Sequence, residues 1–316
     1  MENIYKQLKT FGHVRLNEPM AKHTTFKIGG SVDFFVVVED VDKLAELLTF
    51  VNENGLNYFM LGGGSNILWQ DDRYEGVVIR LKTEDLRLKT ENLIEVDAGV
   101  PLSRVVSLAA QNNLTGFEWA IGIPGTIGGA VRGNAGAMGF DISADRCLSK
   151  VHVWQNGEVV EYDKKDCNFV YRGSMFKDNP SIVVLRAYFK LETGDKVQIM
   201  KAMQGYLAQR TGRYPNFPSA GSFFQNVPLS QWKKDLKDLP ELFIERKKIP
   251  VGWLVEQLGL KGLTVGGAKV SDEHGNFIIN FDNALQSDVL TLVELVKEKV
   301  YNKFGIELES EVEIIH

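Results

Sequence analysis

The sequence predicts a protein of mixed helices and strands that is built from two or three domains. Its 316 residues exceed the length of one typical domain, which is about 100–200 residues. Segments with the apolar spacing of a helix alternate with short segments that are rich in β-branched residues. A passage rich in proline, glycine and serine, 213–221, follows this alternation and is typical of a domain junction.

Helices are predicted where apolar residues recur every three or four positions. In the first of them Val41, Leu44 and Leu48 share one face, and Gly55 ends the helix. Pro101 suits the first turn of the second helix, and Gly305 ends the last one. The predicted helices span 41–54, 102–111, 196–209, 253–258 and 288–304.

Strands are predicted where short runs of β-branched and aromatic residues lie between turn residues. Asn156 and Gly157 separate two such runs and indicate a hairpin with a two-residue turn. The predicted strands lie at 57–61, 76–81, 93–100, in the hairpin 151–162, at 182–191, within 269–280 and at 306–315.

Charge and composition exclude several classes of protein. The net charge is −5 and no run of Lys and Arg is dense enough for a nucleic-acid patch. No apolar run approaches the ~20 residues that span a membrane, and residues 1–10 lack the apolar core of a signal peptide. Cys147 and Cys167 lack metal-ligand spacing, so we expect no metal site. Two cysteines also allow one disulfide, but we expect reduced thiols in a cytosolic protein. The sequence predicts a cytoplasmic protein without nucleic-acid or membrane partners.

Two glycine-rich loops are the main candidates for a ligand site. One is LGGGSN, 61–66, and the other is GIPGTIGGAVRGNAGA, 122–137, which carries six glycines. Backbone N–H groups without neighbouring side chains can converge on phosphate oxygens. The glycine density predicts that 122–137 holds neither a regular helix nor a central strand.

Neither loop matches a dinucleotide fingerprint or a P-loop, and a single glycine cluster is equally consistent with tight turns that bind nothing. Because two such loops each follow a predicted strand, they favour a shared diphosphate ligand.

Eight ordered motifs extend this pattern along nearly the whole chain. They are HTTFKIGG (23–30), LGGGSNIL (61–68), GFEWAIGIPGTIGGAVRGNAGA (116–137), FVYRGSMFK (169–177), SAGSFFQN (219–226), GWLVEQLGLKG (252–262), VGGAKVS (265–271) and LESEVEI (308–314). In content, order and spacing they resemble the UDP-N-acetylenolpyruvoylglucosamine reductase family, also called UDP-N-acetylmuramate dehydrogenases.

The resemblance implies a three-domain α+β fold with an FAD-binding part of the vanillyl-alcohol-oxidase (PCMH) type and an α/β substrate-binding domain. The implied domains are a first FAD-binding subdomain, 1–80, joined by a C-terminal strand, 306–316; a second one, 81–206; and a substrate-binding domain, 207–305. It implies that NADPH reduces FAD, and that the enolpyruvyl ether of UDP-N-acetylglucosamine enolpyruvate is then reduced to UDP-N-acetylmuramate for peptidoglycan precursor synthesis. We expect a monomer.

The resemblance also assigns a catalytic trio. Ser222 is the implied proton donor, Arg172 the partner of the substrate carboxylate, and Glu311 a hydrogen-bond partner of the enolic acid. Without the resemblance, Ser222 is a turn serine and Arg172 a surface arginine. Glu311 would share an acidic strand face with three other glutamates, Glu307, Glu309 and Glu313.

Binding residues follow from the same motifs. The implied FAD contacts are Leu61, Gly62, Gly63, Gly64, Ser65, Asn66, Gly122, Ile123, Pro124, Gly125, Thr126, Gly129, Ala130, Gly133, Asn134, Ala135 and Gly136. The implied substrate contacts are Tyr171, Arg213, Asn226 and Gln257, each equally consistent with a structural role. The family's substrate-covering tyrosine has no counterpart in 229–243, where Trp232 or Phe243 is the alternative.

Two other functions stay open on the sequence alone. One is a flavin oxidase of the same fold, which would often tether FAD through His or Cys. The other is a non-catalytic nucleotide-binding protein, which would not need the trio.

Overall fold

The computed structural model describes residues 2–143, 147–212 and 214–316, which fall into two compact units. Unit 1 comprises the residues up to Glu18, Val32–Gly63 and Glu75–Thr211. Unit 2 comprises Pro19–Ser31, Gly64–Tyr74 and Gly212–His316. The division of the chain into three domains stays a prediction.

Unit 1 holds most of the predicted helices and strands. Its helices are Glu2–Leu8, Val41–Glu53, Leu102–Gln111, Ile127–Arg132, Met175–Asp178 and Lys196–Arg210, with short 3-10 turns at Glu118–Ala120 and Lys164–Asp166. Its strands are His13–Pro19, Ser31–Val38, Tyr58–Met60, Tyr74–Leu81, Leu86–Thr90, Leu93–Asp97, Leu114–Thr115, Gly136–Ala137, Phe140–Asp141, Leu148–Gln155, Glu158–Asp163, Val183–Lys190 and Glu192–Thr193.

Two sheets of unit 1 enclose one apolar core. The first sheet has the strand order His13–Pro19, Ser31–Val38, Tyr74–Leu81, Tyr58–Met60. The second has the order Glu158–Asp163, Leu148–Gln155, Val183–Lys190, Leu93–Asp97, Leu86–Thr90, with every neighbouring pair antiparallel. Helices Val41–Glu53 and Leu102–Gln111 bury their predicted apolar faces in this core, which removes that surface from water.

The local sequence signals explain where these elements begin and turn. Helix Val41–Glu53 begins after Asp40, whose carboxylate accepts N–H bonds from Asp42 (2.7 Å) and Lys43 (2.9 Å). The predicted hairpin turn is confirmed: Asn156 and Gly157 have φ of 52° and 88°, as a type I′ turn requires.

One prediction for unit 1 is wrong, because a helix, Ile127–Arg132, lies inside the glycine-rich segment. Thr126 begins it, since its hydroxyl accepts the N–H of Gly129. Ile127 and Val131 are fully buried. Gly128 is required because a Cβ there would lie 2.9 Å from the Cβ of Ala98. Each glycine in a helix costs about 1 kcal/mol relative to alanine. Burial of the apolar side chains outweighs that cost in this helix.

A polar row crosses the second sheet of unit 1. Glu161, His152, Arg186 and Asp97 lie in register on four neighbouring strands. Glu161 contacts His152 at 2.8 Å, and the Nε of Arg186 donates to Asp97 at 2.7 Å. Asp97 is only 3% exposed. Its burial raises the pKa of the carboxyl, while Arg186 opposes that rise.

Unit 2 has a second core around a four-stranded antiparallel sheet and a long helix. Its strands are Ile67–Leu68, Ser219–Ser222, Val227–Pro228, Lys248–Ile249, Thr264–Val265, Ala268–Val270, Phe277–Asn280 and Glu313–Ile314. Its helices are Glu241–Glu245, Val251–Gln257 and Gln286–Phe304, with 3-10 turns at Met20–Lys22, Leu229–Gln231 and Leu236–Asp238. The sheet has the order Ser219–Ser222, Phe277–Asn280, Ala268–Val270, Thr264–Val265.

The long helix of unit 2 begins and ends at identifiable residues. Asp71 accepts N–H bonds from Gln286 (2.7 Å) and Ser287 (3.2 Å) at its first turn. Gly305 ends it with a left-handed φ of 70°, as predicted. Among the described residues, no helix combines the length and the apolarity that crossing a membrane would require.

The prediction of a strand over 306–315 is wrong for most of that range. Only Glu313–Ile314 forms a strand, parallel to Ile67–Leu68. Before it, the N–H groups of Glu311 (2.8 Å) and Val312 (3.4 Å) both point to the same carbonyl, that of Phe223. Two residues opposite one is the signature of a bulge, and it interrupts the period of two on which the strand prediction rested.

Candidate active site

The two glycine-rich loops meet in unit 1. A Cβ on Gly62 would lie 2.9 Å from Oγ1 of Thr126, and a Cβ on Gly63 would lie 2.7 Å from the Cα of Gly125. These distances leave no room for a side chain, so both glycines are required for the contact. The loops are thus neighbours in space although some sixty residues separate them in sequence.

Their N–H groups are the notable feature of this contact. Among the described residues, the N–H groups of Gly62, Gly63 and Gly125 have no hydrogen-bond acceptor. All three residues are half-buried. Unpaired half-buried backbone donors are uncommon, and several of them at one point form an anion-binding arrangement.

Arg210 adds a cation beside the second loop. It was not among the site residues predicted from the sequence. Its Nε and Nη2 are shielded from solvent and have no hydrogen-bond partner among the described residues. Its Cδ would lie 3.3 Å from a Cβ on Gly122, whose φ is 76°. Nε and Nη2 form the edge of the guanidinium that binds an oxyanion with two parallel hydrogen bonds. The only sequence signal was a basic residue in the last turn of a helix, which is common.

The other half of the first loop, Gly64–Asn66, lies in unit 2. The carbonyl of Gly64 accepts bonds from the N–H (2.9 Å) and the hydroxyl (3.3 Å) of Thr25. Asn66 accepts the N–H of Glu313 at 3.0 Å and donates its side-chain amide to the carbonyl of Glu311 at 3.1 Å. The HTTFKIGG motif and the C-terminal motif therefore fix this half of the loop.

Ser222 and Glu311 lie close together in unit 2. Ser222 ends its strand opposite Phe277, and the next residue, Phe223, accepts the N–H of Glu311 at 2.8 Å. Both Ser222 and Glu311 are half-buried. The bulge at Glu311 and Val312, opposite Phe223, explains why Glu311 is half-buried whereas Glu307 and Glu309 are exposed. The predicted single acidic face is thus broken at Glu311.

Arg172 lies in unit 1, at the edge of the second glycine-rich loop. Its guanidinium donates to the carbonyls of Gly136 (2.7 Å) and Asn134 (3.4 Å), and its backbone has a left-handed φ of 59°. A non-glycine residue in this conformation costs about 1 kcal/mol or more. Such strain persists only where the surrounding contacts fix it, which marks this turn as a functional candidate.

Asn134, a predicted FAD contact, supports this turn. Its side chain is buried and bonds Val170 (2.9 Å) and Ser143 (3.2 Å and 3.1 Å). Since its amide already contacts protein groups, the structure favours a supporting role for that side chain.

Comparison with known proteins decides the family. Residues 213–315 match the model of the UDP-N-acetylenolpyruvoylglucosamine reductase C-terminal domain, and residues 32–163 match an FAD binding domain. UDP-N-acetylenolpyruvoylglucosamine reductases of Thermosipho melanesiensis and Bacillus pumilus are 36% and 38% identical to the chain. The first alignment covers 99% of this chain and 100% of the relative, and the second covers 100% and 99%.

The chain belongs to the UDP-N-acetylenolpyruvoylglucosamine reductase family. The crystal structure of such a reductase from Thermus caldophilus is similar, with a TM-score of 0.75 and 32% identity, over 96% of this chain and 98% of that one. The predicted α+β fold with an FAD-binding domain is confirmed, as is the prediction of an FAD-dependent oxidoreductase.

The residues of this reductase fit FAD. A diphosphate needs several converging donors and a nearby cation, and unit 1 provides three unpaired glycine N–H groups and the Arg210 edge. Of the other predicted contacts, Leu61 and Ala130 are buried, so any contact from them would come from the backbone.

The predicted substrate contacts have mixed surroundings. Tyr171 is 38% exposed, and its ring lies 5.0 Å from the guanidinium carbon of Arg172. The side chain of Asn226 accepts the N–H of Val251 at 3.3 Å. Val251 begins the helix Val251–Gln257, and Gln257 is exposed at its end. Arg213 lies outside the described residues.

The two candidates for the missing cover are part of an aromatic cluster. Trp232 is buried, and its ring lies 5.7 Å from Phe304 and 6.3 Å from Trp253. Phe243 packs edge-on against Trp253 at 5.6 Å. Trp232 therefore serves the core of unit 2.

Proposed function

We propose that this chain uses NADPH, through FAD, to reduce the enolpyruvyl ether of UDP-N-acetylglucosamine enolpyruvate to UDP-N-acetylmuramate in peptidoglycan precursor synthesis. The observation that carries the proposal is the hydrogen bond from Glu311 N–H to Phe223 O. It brings together two motifs, SAGSFFQN and LESEVEI, that lie far apart in the sequence. The end-to-end match with reductases supports the same reaction.

The chemistry divides between the cofactor and the chain. When bound, FAD supplies the hydride relay from NADPH to the terminal CH₂ carbon of the enolpyruvyl group. Hydride addition there leaves negative charge on the neighbouring carbon and its carboxylate. The chain must stabilise that charge and provide one proton.

Three side chains would meet these needs. The guanidinium of Arg172 binds the substrate carboxylate and stays charged throughout. The hydroxyl of Ser222 gives its proton to the carbon beside the carboxylate. This carbon carries negative charge after hydride addition and is basic enough to accept a proton from a weak acid. Glu311, when protonated, donates a hydrogen bond to the enolic acid.

The cofactor would be held by unit 1. The N–H groups of Gly62, Gly63 and Gly125 would bind the diphosphate of FAD, and Arg210 would neutralise part of its charge. Tyr171, Asn226, Gln257 and Arg213 remain proposed contacts of the UDP-sugar.

The test separates the two half-reactions under anaerobic conditions. NADPH should bleach the flavin of the wild type and of Ser222→Ala at the same rate. Addition of the enolpyruvyl UDP-sugar should then reoxidise the Ser222→Ala flavin about 10²–10⁴ times more slowly, since a general acid is missing. Ser219→Ala is the matched control, because Ser219 lies on the same strand and is also half-buried. Normal reoxidation in Ser222→Ala would rule out this role.

A flavin oxidase with a covalent tether finds little support. Both cysteines are buried and free, and burial raises the pKa of Cys167 to about 12, so its thiolate is scarce at neutral pH. Acid precipitation should release all the flavin from the protein.

A further inference from the structure

Asn276 makes an unusual set of contacts with the residues that follow Ser222. Its side chain is buried, at 4% exposure. The amide oxygen accepts the N–H of Phe224 at 3.0 Å, and the amide nitrogen donates to the carbonyl of Phe224 at 2.8 Å. The backbone carbonyl of Asn276 accepts the N–H of Phe223 at 2.7 Å.

These contacts take the place of backbone pairing beyond the last residue pair of the sheet. The strand ladder ends at the Ser222–Phe277 pair, so the N–H and C=O of Phe224 have no strand on that side. The carboxamide of Asn276 presents an acceptor oxygen beside a donor nitrogen, so it can bond both the N–H and the C=O of Phe224 as a neighbouring strand would. It therefore extends the sheet by one residue, in an interior where unpaired groups would cost about 1–3 kcal/mol each.

The opposite edge of the same short segment binds the C-terminal motif. Phe223 O accepts from Glu311 N–H at 2.8 Å, and Gln225 N–H donates to Glu309 O at 2.9 Å. The segment is thus held between Asn276 on one side and the Glu309–Glu311 backbone on the other. A shift of Phe224 away from Asn276 would move the strand end at Ser222 and the anchor of Glu311 together.

We propose that Asn276 is a positioning residue, which holds Ser222 and Glu311 in the geometry needed for proton transfer. The inference rests on the proposed function of those two residues and extends it to one that does not touch the substrate. It depends on the amide in particular, because alanine would leave both groups of Phe224 unpaired, and a serine hydroxyl is too short to bridge both.

The test uses Asn276→Ala and Asn276→Ser, with Asn280→Ala as the matched control. Asn280 ends the strand Phe277–Asn280, which begins directly after Asn276. Its side chain also bonds backbone groups, those of Phe26 (3.2 Å) and Ala284 (2.8 Å), away from Ser222. Flavin reduction by NADPH should be unchanged in all three. Reoxidation by the enolpyruvyl UDP-sugar should slow by about 10- to 100-fold in the Asn276 variants, as small misplacements of reacting groups do, and stay normal in Asn280→Ala.

Two readouts distinguish positioning from general loss of structure. In a Ser222→Ala background, Asn276→Ser should slow reoxidation by a smaller factor than in the wild type, because residues that act as a unit are not additive. Product formed by Asn276→Ser should contain both configurations at the new stereocentre, because solvent then competes with Ser222 as the proton source.

Three results would overturn the inference: equal slowing in Asn280→Ala, slowing by Asn276→Ser that is as large in the Ser222→Ala background as in the wild type, or a product of single configuration made at the normal rate. If Ser222→Ala itself reoxidises normally, the proposed proton donor is wrong instead. If Asn276→Ala does not fold, Asn276→Ser, which changes less volume, decides the matter.

Discussion

The backbones of Gly63 and Gly125 lie so close that a Cβ on Gly63 would come within 2.7 Å of the Cα of Gly125. Real Cβ atoms do not approach backbone atoms this closely, so Gly63→Ala must push the two loops apart. Overpacking of this kind costs about 1–3 kcal/mol. We expect FAD to bind at least about tenfold more weakly, measured by flavin fluorescence during titration of the apoprotein.

Gly205→Ala is the control for that experiment. Gly205 lies inside the helix Lys196–Arg210, and a Cβ there meets nothing within 4 Å. The variant should bind FAD normally and be up to about 1 kcal/mol more stable, because alanine favours a helix. Equal FAD affinity in Gly63→Ala and Gly205→Ala would contradict a binding role for the contact between the loops.

Arg210→Met should affect stability and FAD binding in opposite directions. A charged group that bonds a phosphate contributes about 1.5–3 kcal/mol per hydrogen bond, so FAD affinity should fall by about tenfold or more. The apoprotein should melt at an equal or higher temperature, because the two buried nitrogens without partners are removed. Calorimetry of the apoprotein and FAD titration measure the two effects separately.

An exposed arginine provides the comparison for Arg210. Arg104 is 3.8 Å from the highly exposed Glu84, and exposed pairs contribute about 0–1 kcal/mol. Arg104→Met should leave both FAD affinity and melting temperature nearly unchanged. If Arg210→Met lowers the melting temperature of the apoprotein and leaves FAD affinity intact, Arg210 serves the fold alone.

The sequence was a good guide wherever the signal was local. Helix Leu102–Gln111, the Asn156–Gly157 turn and the end at Gly305 are confirmed because each depends on the conformations of a few neighbouring residues. The helix Ile127–Arg132 was missed because burial against the rest of unit 1 overrides the poor helix propensity of its glycines.

The candidate site shows the same limit. Motifs indicated Ser222 and Glu311, but the bulge that places Glu311 beside Phe223 depends on pairing between segments some ninety residues apart. The sequence could not indicate Arg210 or Asn276. A basic residue in the last turn of a helix is common, and so is an asparagine directly before a strand. Arg210 is notable for two shielded nitrogens without a hydrogen-bond partner among the described residues. Asn276 is notable for its two side-chain hydrogen bonds to Phe224.

The ion pair of half-buried Arg186 with buried Asp97 should contribute far more to stability than exposed ion pairs do. The hydroxyl of Thr83 also donates to Asp97 at 2.9 Å, so the carboxylate is bonded at both oxygens. Arg186→Met would leave that buried charge without its cation, which costs about 3–5 kcal/mol. Urea unfolding at pH 7 should show this loss, with Arg104→Met as the control.

The loss in Arg186→Met should also depend on pH. Burial already raises the pKa of Asp97 above its usual value of 3.8, and removal of the cation raises it further. A raised carboxyl pKa favours the folded state at low pH, and this contribution is lost as the pH rises through the folded value. The deficit should therefore shrink as the pH is lowered from 7 towards 4. An equal deficit at both pH values would show that lost packing is responsible.

Cys167 gives a test at alkaline pH. Burial, with smaller contributions from Asp166 and Asp163, raises the pKa of its thiol from 9.0 to about 12. Only the thiolate reacts with disulfide reagents, so Cys167 should resist labelling in the folded protein at pH 8 and react once the protein is unfolded in urea. The raised pKa stabilises the folded state fully below pH 9, and that contribution is lost as the pH rises towards 12. The free energy of unfolding should decline across this window, and the decline should be smaller in Cys167→Ala. Rapid labelling of native protein at pH 8, assigned to Cys167 by peptide mass, would show that the thiol is accessible and ionised.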